Sequence, residues 1–476
     1  MNGFRAARPG RVALLLPVLM ASACASVPNL GAKPAPHNAS DYAAAASIAS
    51  TDAAWPADGW WLRYGDPQLN RLMDEALLGS PDLEAAAARM RTAEGFAQRA
   101  GAALKPTVDA FAEPELAKQS QNQSIPASAI PNGWNSSGSL GLSFSLDLDL
   151  WGKNRAAFRA ANADADAAKF ELDEARLALT TGVAGTYADL ASLYAQRDTL
   201  VSALDIRTQT AKLVSQRVNS GLDTNADLKQ AVARVSQARA DIEATDEAIE
   251  LTKHALAALI GAGPDRGISI DRPAIGQLRA QGVPANASVD LVGRRPEIAA
   301  ARSRVEAAND RIKEAKAAFY PNVNLSALIG LSSFGLGNVF SSGSGIGSVA
   351  PAVSLPLFHG GAFQGQYRGR RGQYDEAVAL YDRQVIAALR ETADAVTSQK
   401  KLVSRLANSR SALADFEEAN RLARQRYEHG LSTYLDVLSA EEGVLGARLD
   451  VAQLETRAFT LDVQLIRALG GGFTAA

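Results

Sequence analysis

The 476-residue chain has a single cysteine, Cys24, so no intrachain disulfide is available to it. Aromatic residues make up only 6%, and 49 basic residues are balanced by 51 acidic ones. A net charge of −2 provides no field of one sign, which argues against nucleic acid as a partner. After the N-terminal segment no apolar run approaches the ~18 residues that a membrane-crossing helix needs. The four histidines, His37, His254, His359 and His429, are scattered and lack metal-ligand spacing. The glycine-rich run around Gly343, Gly345 and Gly347 lacks both the spacing of a dinucleotide loop and a following helix. No convergent polar set remains for catalysis, and neither a metal nor a dissociable cofactor is expected.

The N-terminus has the pattern of a secretion signal, residues 1–23. Arg5, Arg8 and Arg11 precede a short apolar core, and Ala21, Ser22 and Ala23 are small residues before Cys24. This arrangement resembles a bacterial lipobox, which implies a covalent lipid on Cys24. It departs from the usual pattern at Ala21, where leucine is usual, and Ala-x-Ala is also an ordinary signal-peptidase site cutting the same bond. Ala25 and Ser26, with no Asp beside the cysteine, resemble lipoproteins sorted to the outer membrane. Several acyl chains suffice for stable anchoring. Residues 24–64 then read as a tether rich in Ala, Ser and Pro, leading into a Trp-rich junction.

The rest is one unit written twice. Ser80-Pro81 through Val108 matches Arg295-Pro296 through Val323 at an offset of 215, and Ser145 to Gly261 matches Ser354 to Gly470 at an offset of 209. The first repeat is placed at 65–261, a linker at 262–290, the second repeat at 291–470 and a tail at 471–476. Within each repeat the period changes from helical to two after a proline. Residues 140–150 alternate large apolar with small or acidic side chains, which predicts a strand with one greasy and one wet face. On this reading Asp147 and Asp149 share the wet face and line a pore. Weaker alternation follows Val108, Val323 and Pro351, with polar loops at 119–138 and 332–348. Four strands of ~10–13 residues match outer-membrane barrel strands but cannot close a barrel alone, so the chain must assemble with copies of itself.

Two proline-free helices are predicted at 153–218 and 362–428, each ~100 Å long. Each turns at a Q-R-x-x-x-G-L-x-T segment, Gln216 to Thr224 and Gln425 to Thr433, into a returning helix. The returning helices carry heptads, Leu228, Val235, Ile242, Ile249 and Leu256 in the first and Val437, Val444, Val451, Ala458 and Leu465 in the second, the mark of a coiled-coil seam. The helix before the strands, taken to be of similar length, would stack end to end on the returning helix. The expected fold is mixed but mainly α, with long antiparallel helices, four strands per chain and an internal two-fold repeat.

Trp60-Trp61-x-x-Tyr64-Gly65-Asp66-Pro67-Gln68-Leu69, Asp149-Leu150-Trp151-Gly152-Lys153-Asn154-Arg155, Tyr320-Pro321-Asn322-Val323, Leu355-Pro356-Leu357-Phe358 and both G-L-x-T turns resemble one family. It is the outer-membrane factor family of tripartite efflux and type I secretion systems, in its multidrug-efflux lipoprotein branch. The resemblance implies a homotrimer with a twelve-stranded outer-membrane β-barrel and a periplasmic α-barrel. It also implies a periplasmic adaptor and a proton-driven inner-membrane transporter as partners, and export of small toxic compounds. Export of proteins or metal ions is the alternative within the class, and a non-conducting periplasmic coiled-coil scaffold is the alternative outside it. By resemblance Gly221, Leu222, Thr224, Gly430, Leu431 and Thr433 meet the adaptor. The family's pore constriction falls at Leu435 and Ser439. Ser439 stands where an acidic residue is usual, which leaves Asp436, or Asp227 in the first repeat, to substitute.

Overall fold

The computed structural model describes residues 27–48, 53–122, 126–274, 283–284 and 287–475. The signal segment and Cys24 lie outside the described residues. In chain order come α1 (Pro67–Gly79), α2 (Pro81–Ala102), β1 (Thr107–Ala117), β2 (Asn135–Asp147), α3 (Lys153–Asn219) and α4 (Asn225–Leu259). Two short helices, α5 (Asp265–Ile268) and α6 (Ala287–Asp290), precede the second repeat. That repeat holds α7 (Pro296–Ala317), β3 (Asn322–Phe334), β4 (Gly345–Ser354), α8 (Ala362–Glu428) and α9 (Tyr434–Ala468). α3 and α8 have 67 residues each, and α4 and α9 have 35 each. The repeat is therefore preserved in three dimensions, element by element. The chain forms two compact units, one built from the segment up to Pro36 with Met90–Ala167 and Ala301–Leu380, the other from the remainder.

The first unit contains the sheet, antiparallel in the order β1-β2-β3-β4. Its register aligns the apolar alternation across all four strands. Ala110 pairs with Leu142, Leu142 with Ile329, and Ile329 with Gly347. The next such row joins Val108, Phe144, Ala327 and Val349. Asp109, Glu113 and Glu115 stand beside Ser143, Ser139 and Ser137 on the other face. Among the described residues no helix covers the greasy side, since Val108, Leu142, Ile329, Val349 and Val353 remain exposed. Among the described residues no helix is long and apolar enough to cross a membrane.

The strand expected at 140–150 is shifted. It begins at Asn135, because ladder bonding needs only backbone groups and continues through Ser and Gly. It ends at Asp147. Asp149 is not on the wet strand face. It has left-handed backbone (φ 45°), is buried, and accepts hydrogen bonds from the amides of Asn154 and Arg155, both at 2.9 Å. The carboxylate thus caps the start of α3, where unpaired amides favour an anion. The apolar alternation through Leu148 and Leu150 outlasts the ladder, and Leu355 and Leu357 likewise fall beyond β4. The strand-connecting loops are correspondingly shorter than 119–138 and 332–348.

The second unit holds the main core. Trp60, Trp61 and Tyr64 pack edge to face, and Tyr64 meets Phe459 at 4.5 Å. The Tyr64 hydroxyl and Arg63 both donate to the buried Asp462 carboxylate, at 2.7 and 2.9 Å. Asp66 caps α1 through the amides of Gln68 and Leu69, a contribution of about 1 kcal/mol. Burial alone would raise its carboxyl pKa, but hydrogen bonds from Tyr187, Ala274, Gln68 and Leu69 hold it below the usual range. Each fully buried side chain such as Leu69, Leu72 or Leu256 adds roughly 1.5–3 kcal/mol.

End-to-end stacking of helices is realised twice. At the end of α4, Gly261 (φ 76°) lies so close to the Gly79 carbonyl, just before α2, that an added Cβ would stand 2.0 Å from its oxygen. At the end of α9, Gly470 (φ 85°) meets the Arg294 carbonyl, just before α7, at 1.8 Å by the same measure. The preceding helices are shorter than expected, 22 residues each, because a break at Ser80 or Arg295 precedes the opening proline. Gly261→Ala and Gly470→Ala should each cost more than about 1 kcal/mol, since the substitution meets both a backbone oxygen and a left-handed φ. Thermal unfolding followed by circular dichroism tests this, and unchanged melting in both would refute the tight abutment.

Candidate functional site: the paired interhelical turns

Both turns fold by the same local chemistry. Arg217-Val218-Asn219-Ser220 ends α3, and Gly221 (φ 73°) reverses the chain. The Leu222 amide returns to the Arg217 carbonyl at 2.8 Å, and the Gly221 amide to Val218 at 3.0 Å. In the second turn Gly430 also has φ 73°, with Leu431 to Arg426 at 2.8 Å and Gly430 to Tyr427 at 2.9 Å. This is the Schellman closure, which satisfies the last carbonyls of a helix and favours glycine at the left-handed position. Thr224 and Thr433 then cap α4 and α9 in reciprocal boxes with Asp227 and Asp436. Leu222 and Leu431 project outward, 65% and 68% exposed, in turns that need no leucine for their own closure.

Beneath the turns the two hairpins pack together. Val214, Ala231, Tyr427, Tyr434, Val437 and Leu438 form a small core. A polar clasp lies over it. The Asp223 carboxylate accepts from Arg217 Nε at 2.9 Å and from the Tyr427 hydroxyl. Arg217 also donates to the Tyr427 carbonyl at 3.0 Å, and its guanidinium sits 4.5 Å from the Tyr427 ring centroid. The hydrogen bond to Asp223 raises the Arg217 pKa further, and burial followed by Asp223 raises that of Tyr427. Burial also pushes the Tyr434 hydroxyl up to about 12. Arg217 thus stays charged and Tyr427 neutral near neutral pH. A second ion pair, Arg234 to Glu442 at 2.7 Å, ties α4 to α9.

Gly221, Leu222, Thr224, Gly430, Leu431 and Thr433 therefore occupy the turns themselves. Leu435 and Ser439 are exposed on α9, Leu435 at 64%. Asp436 is exposed too, but its carboxylate accepts from the Thr433 amide and hydroxyl, both at 2.9 Å, which lowers its pKa. The sequence pattern alone did not single out Arg217, Asp223 or Tyr427 as partners. The signal was present in the repeat itself. Asp223 corresponds to Ser432 and Tyr427 to Val218, so two of the three clasp residues stand where the copies differ, while Arg217 corresponds to Arg426. Among the described residues no cluster of metal-ligating side chains occurs.

Comparison with known proteins places this geometry. The model of the outer membrane efflux protein family matches residues 72–262 and 288–471. The chain is 31% identical over 435 residues to the multidrug resistance outer membrane protein MdtP of Escherichia coli O6:H1, covering 89% of this chain and 88% of that one. It is 35% identical over 337 residues to the fusaric acid resistance protein FusA of Burkholderia cepacia, covering 69% and 62%. Among solved structures, the outer membrane protein VceC of Vibrio cholerae superposes with a TM-score of 0.84 at 44% identity, over 88% of this chain and all of that one. The outer-membrane channel OprN superposes with the same score at 27% identity, over 94% and 99%. With two repeats, four strands and both turns inside the matched segments, the chain belongs to the outer membrane efflux protein family.

Proposed function

We propose that the chain, an outer-membrane efflux protein by family, is the exit duct of a tripartite pump. In this reading it works as a homotrimer and receives small toxic compounds from an inner-membrane transporter through a periplasmic adaptor. The observation that carries this is the sheet. It has one apolar face left uncovered, one polar face, and two outer strands, β1 and β4, that each have only one partner within the chain. Three copies would supply twelve strands, close the edges and turn the polar face to a water-filled lumen. The relatives' names support small molecules as cargo, since MdtP is named for multidrug resistance and FusA for fusaric acid resistance.

The turns are the proposed docking and gating end. Leu222 and Leu431 offer two apolar knobs to adaptor hairpins. Leu435, Asp436 and Ser439 border the inner opening, and with serine at Ser439 the narrowing there rests on Leu435 and Asp436. The clasp of Arg217, Asp223 and Tyr427 holds the two hairpins together until adaptor contacts favour the parted arrangement. A lipid on Cys24 anchors the N-terminus to the outer membrane. The tether after it supports this reading, since Arg371 donates to the carbonyls of Gly31 and Ala32, and Tyr374 to that of Pro34 at 3.0 Å.

In planar bilayers the purified trimer should conduct weakly, and Asp223→Asn should raise its open fraction severalfold. Absence of conductance in both would leave a scaffold rather than a duct. Cysteines at Leu222 and Leu431 should cross-link in cells to an adaptor of the drug-efflux type, and capture of a secretion-type adaptor would reassign the cargo. Mass spectrometry of the mature N-terminal peptide should find acyl chains on Cys24, absent in Cys24→Ser. An unmodified cysteine would refute the anchor.

A further inference from the structure

Below the clasp lies a buried acid that neither docking nor the clasp employs. Glu441 of α9 is 7% exposed and faces α3 rather than water. It stands eight residues past Thr433, about 12 Å along the helix. The Thr210 hydroxyl, itself 2% exposed, donates to Glu441 Oε1 at 2.5 Å, so this bond also ties one hairpin to the other. Arg207 of α3 is buried beside it, and both line a void of about 20 Å³ that also takes in Asn420 and Arg448. That volume admits one water. The Asn420 Oδ1 atom is buried without a hydrogen-bond partner, so the polar lining of this seam is not fully satisfied by protein.

We propose that Glu441 is a positioning residue for the gate: a proton-operated second latch that holds the two hairpins together when protonated and loosens them when ionised. This rests on the duct reading above. The charged and titratable groups around it are Arg207 on α3, Arg424 on α8, and Tyr434 and Arg448 on α9, with Arg448 paired to Glu417 of α8 at 2.6 Å. The basic groups and the Thr210 hydroxyl favour the carboxylate, but burial outweighs them and raises the Glu441 pKa above its ordinary 4.5. A raised pKa means that the packed hairpins bind the proton more tightly than parted ones. Their packing is therefore firmest below about pH 4.5 and weakens as pH rises through the raised pKa. Unlike Asp436, whose carboxylate is exposed and bound to Thr433, Glu441 acts on the seam between helices.

The test uses the full-length trimer in bilayers with the clasp weakened by Asp223→Asn. Between about pH 5 and about pH 8 the open fraction should rise severalfold. Adding Glu441→Gln, which keeps an acceptor for Thr210 but cannot ionise, should flatten that rise and hold the open fraction near its acidic value. The same pH dependence with Gln in place overturns the latch. If Asp223→Asn does not conduct, the duct reading fails, and melting temperature still decides the latch. Glu441→Gln alone should then melt higher than the unsubstituted protein at about pH 8 and equally at about pH 5. An equal difference at both values refutes the proposal.

Discussion

Every backbone amide and carbonyl placed in lipid must find a partner in protein, and this chain has two rows that do not. The outer edges of β1 and β4 are open, while the face beside them is apolar and uncovered. A helix or loop laid over each edge would be the solution in water. In the proposed trimer these edges meet other copies instead. Much of the architecture follows from this. Repetition supplies two hairpins of strands from one template, and each hairpin runs on into a 67-residue helix.

Duplication also explains where function is concentrated. The two turns share their closure to within 0.1 Å in the paired hydrogen bonds, so the repeat preserves the backbone. Side chains at the seam between hairpins differ, with Ser432 in the place of Asp223 and Val218 in the place of Tyr427. One copy contributes Asp223 and Arg217, and the other contributes Tyr427.

Most of the fold was legible because it is periodic. The heptads of α4 and α9 mark the buried stripe, with Ala231, Ala238, Ile242, Ile249 and Leu256 all inside. The two-residue alternation found the strands, and Asp66-Pro67 and the two glycine turns found helix ends. Boundaries failed where pattern and backbone part company. Asp149 continues an alternation that the ladder has already left, because a helix start needed its carboxylate. The clasp was invisible for a different reason. Asp223 and Tyr427 are 204 positions apart, and only the lateral packing of two hairpins brings them together. A difference between repeats was the one trace it left in the sequence.

The segment after the signal is held mainly by its own carbonyls. Within residues 31–34, Arg371 and Tyr374 grip Gly31, Ala32 and Pro34 through main-chain oxygens, and Lys33 uses its side chain, toward Asn309 at 2.6 Å. Such contacts read spacing and not identity. Substitutions along the segment are therefore cheap, whereas inserting or deleting a residue would move every later carbonyl off its donor. The segment behaves as a ruler, and the quantity under constraint is the spacing of the carbonyls that Arg371 and Tyr374 hold.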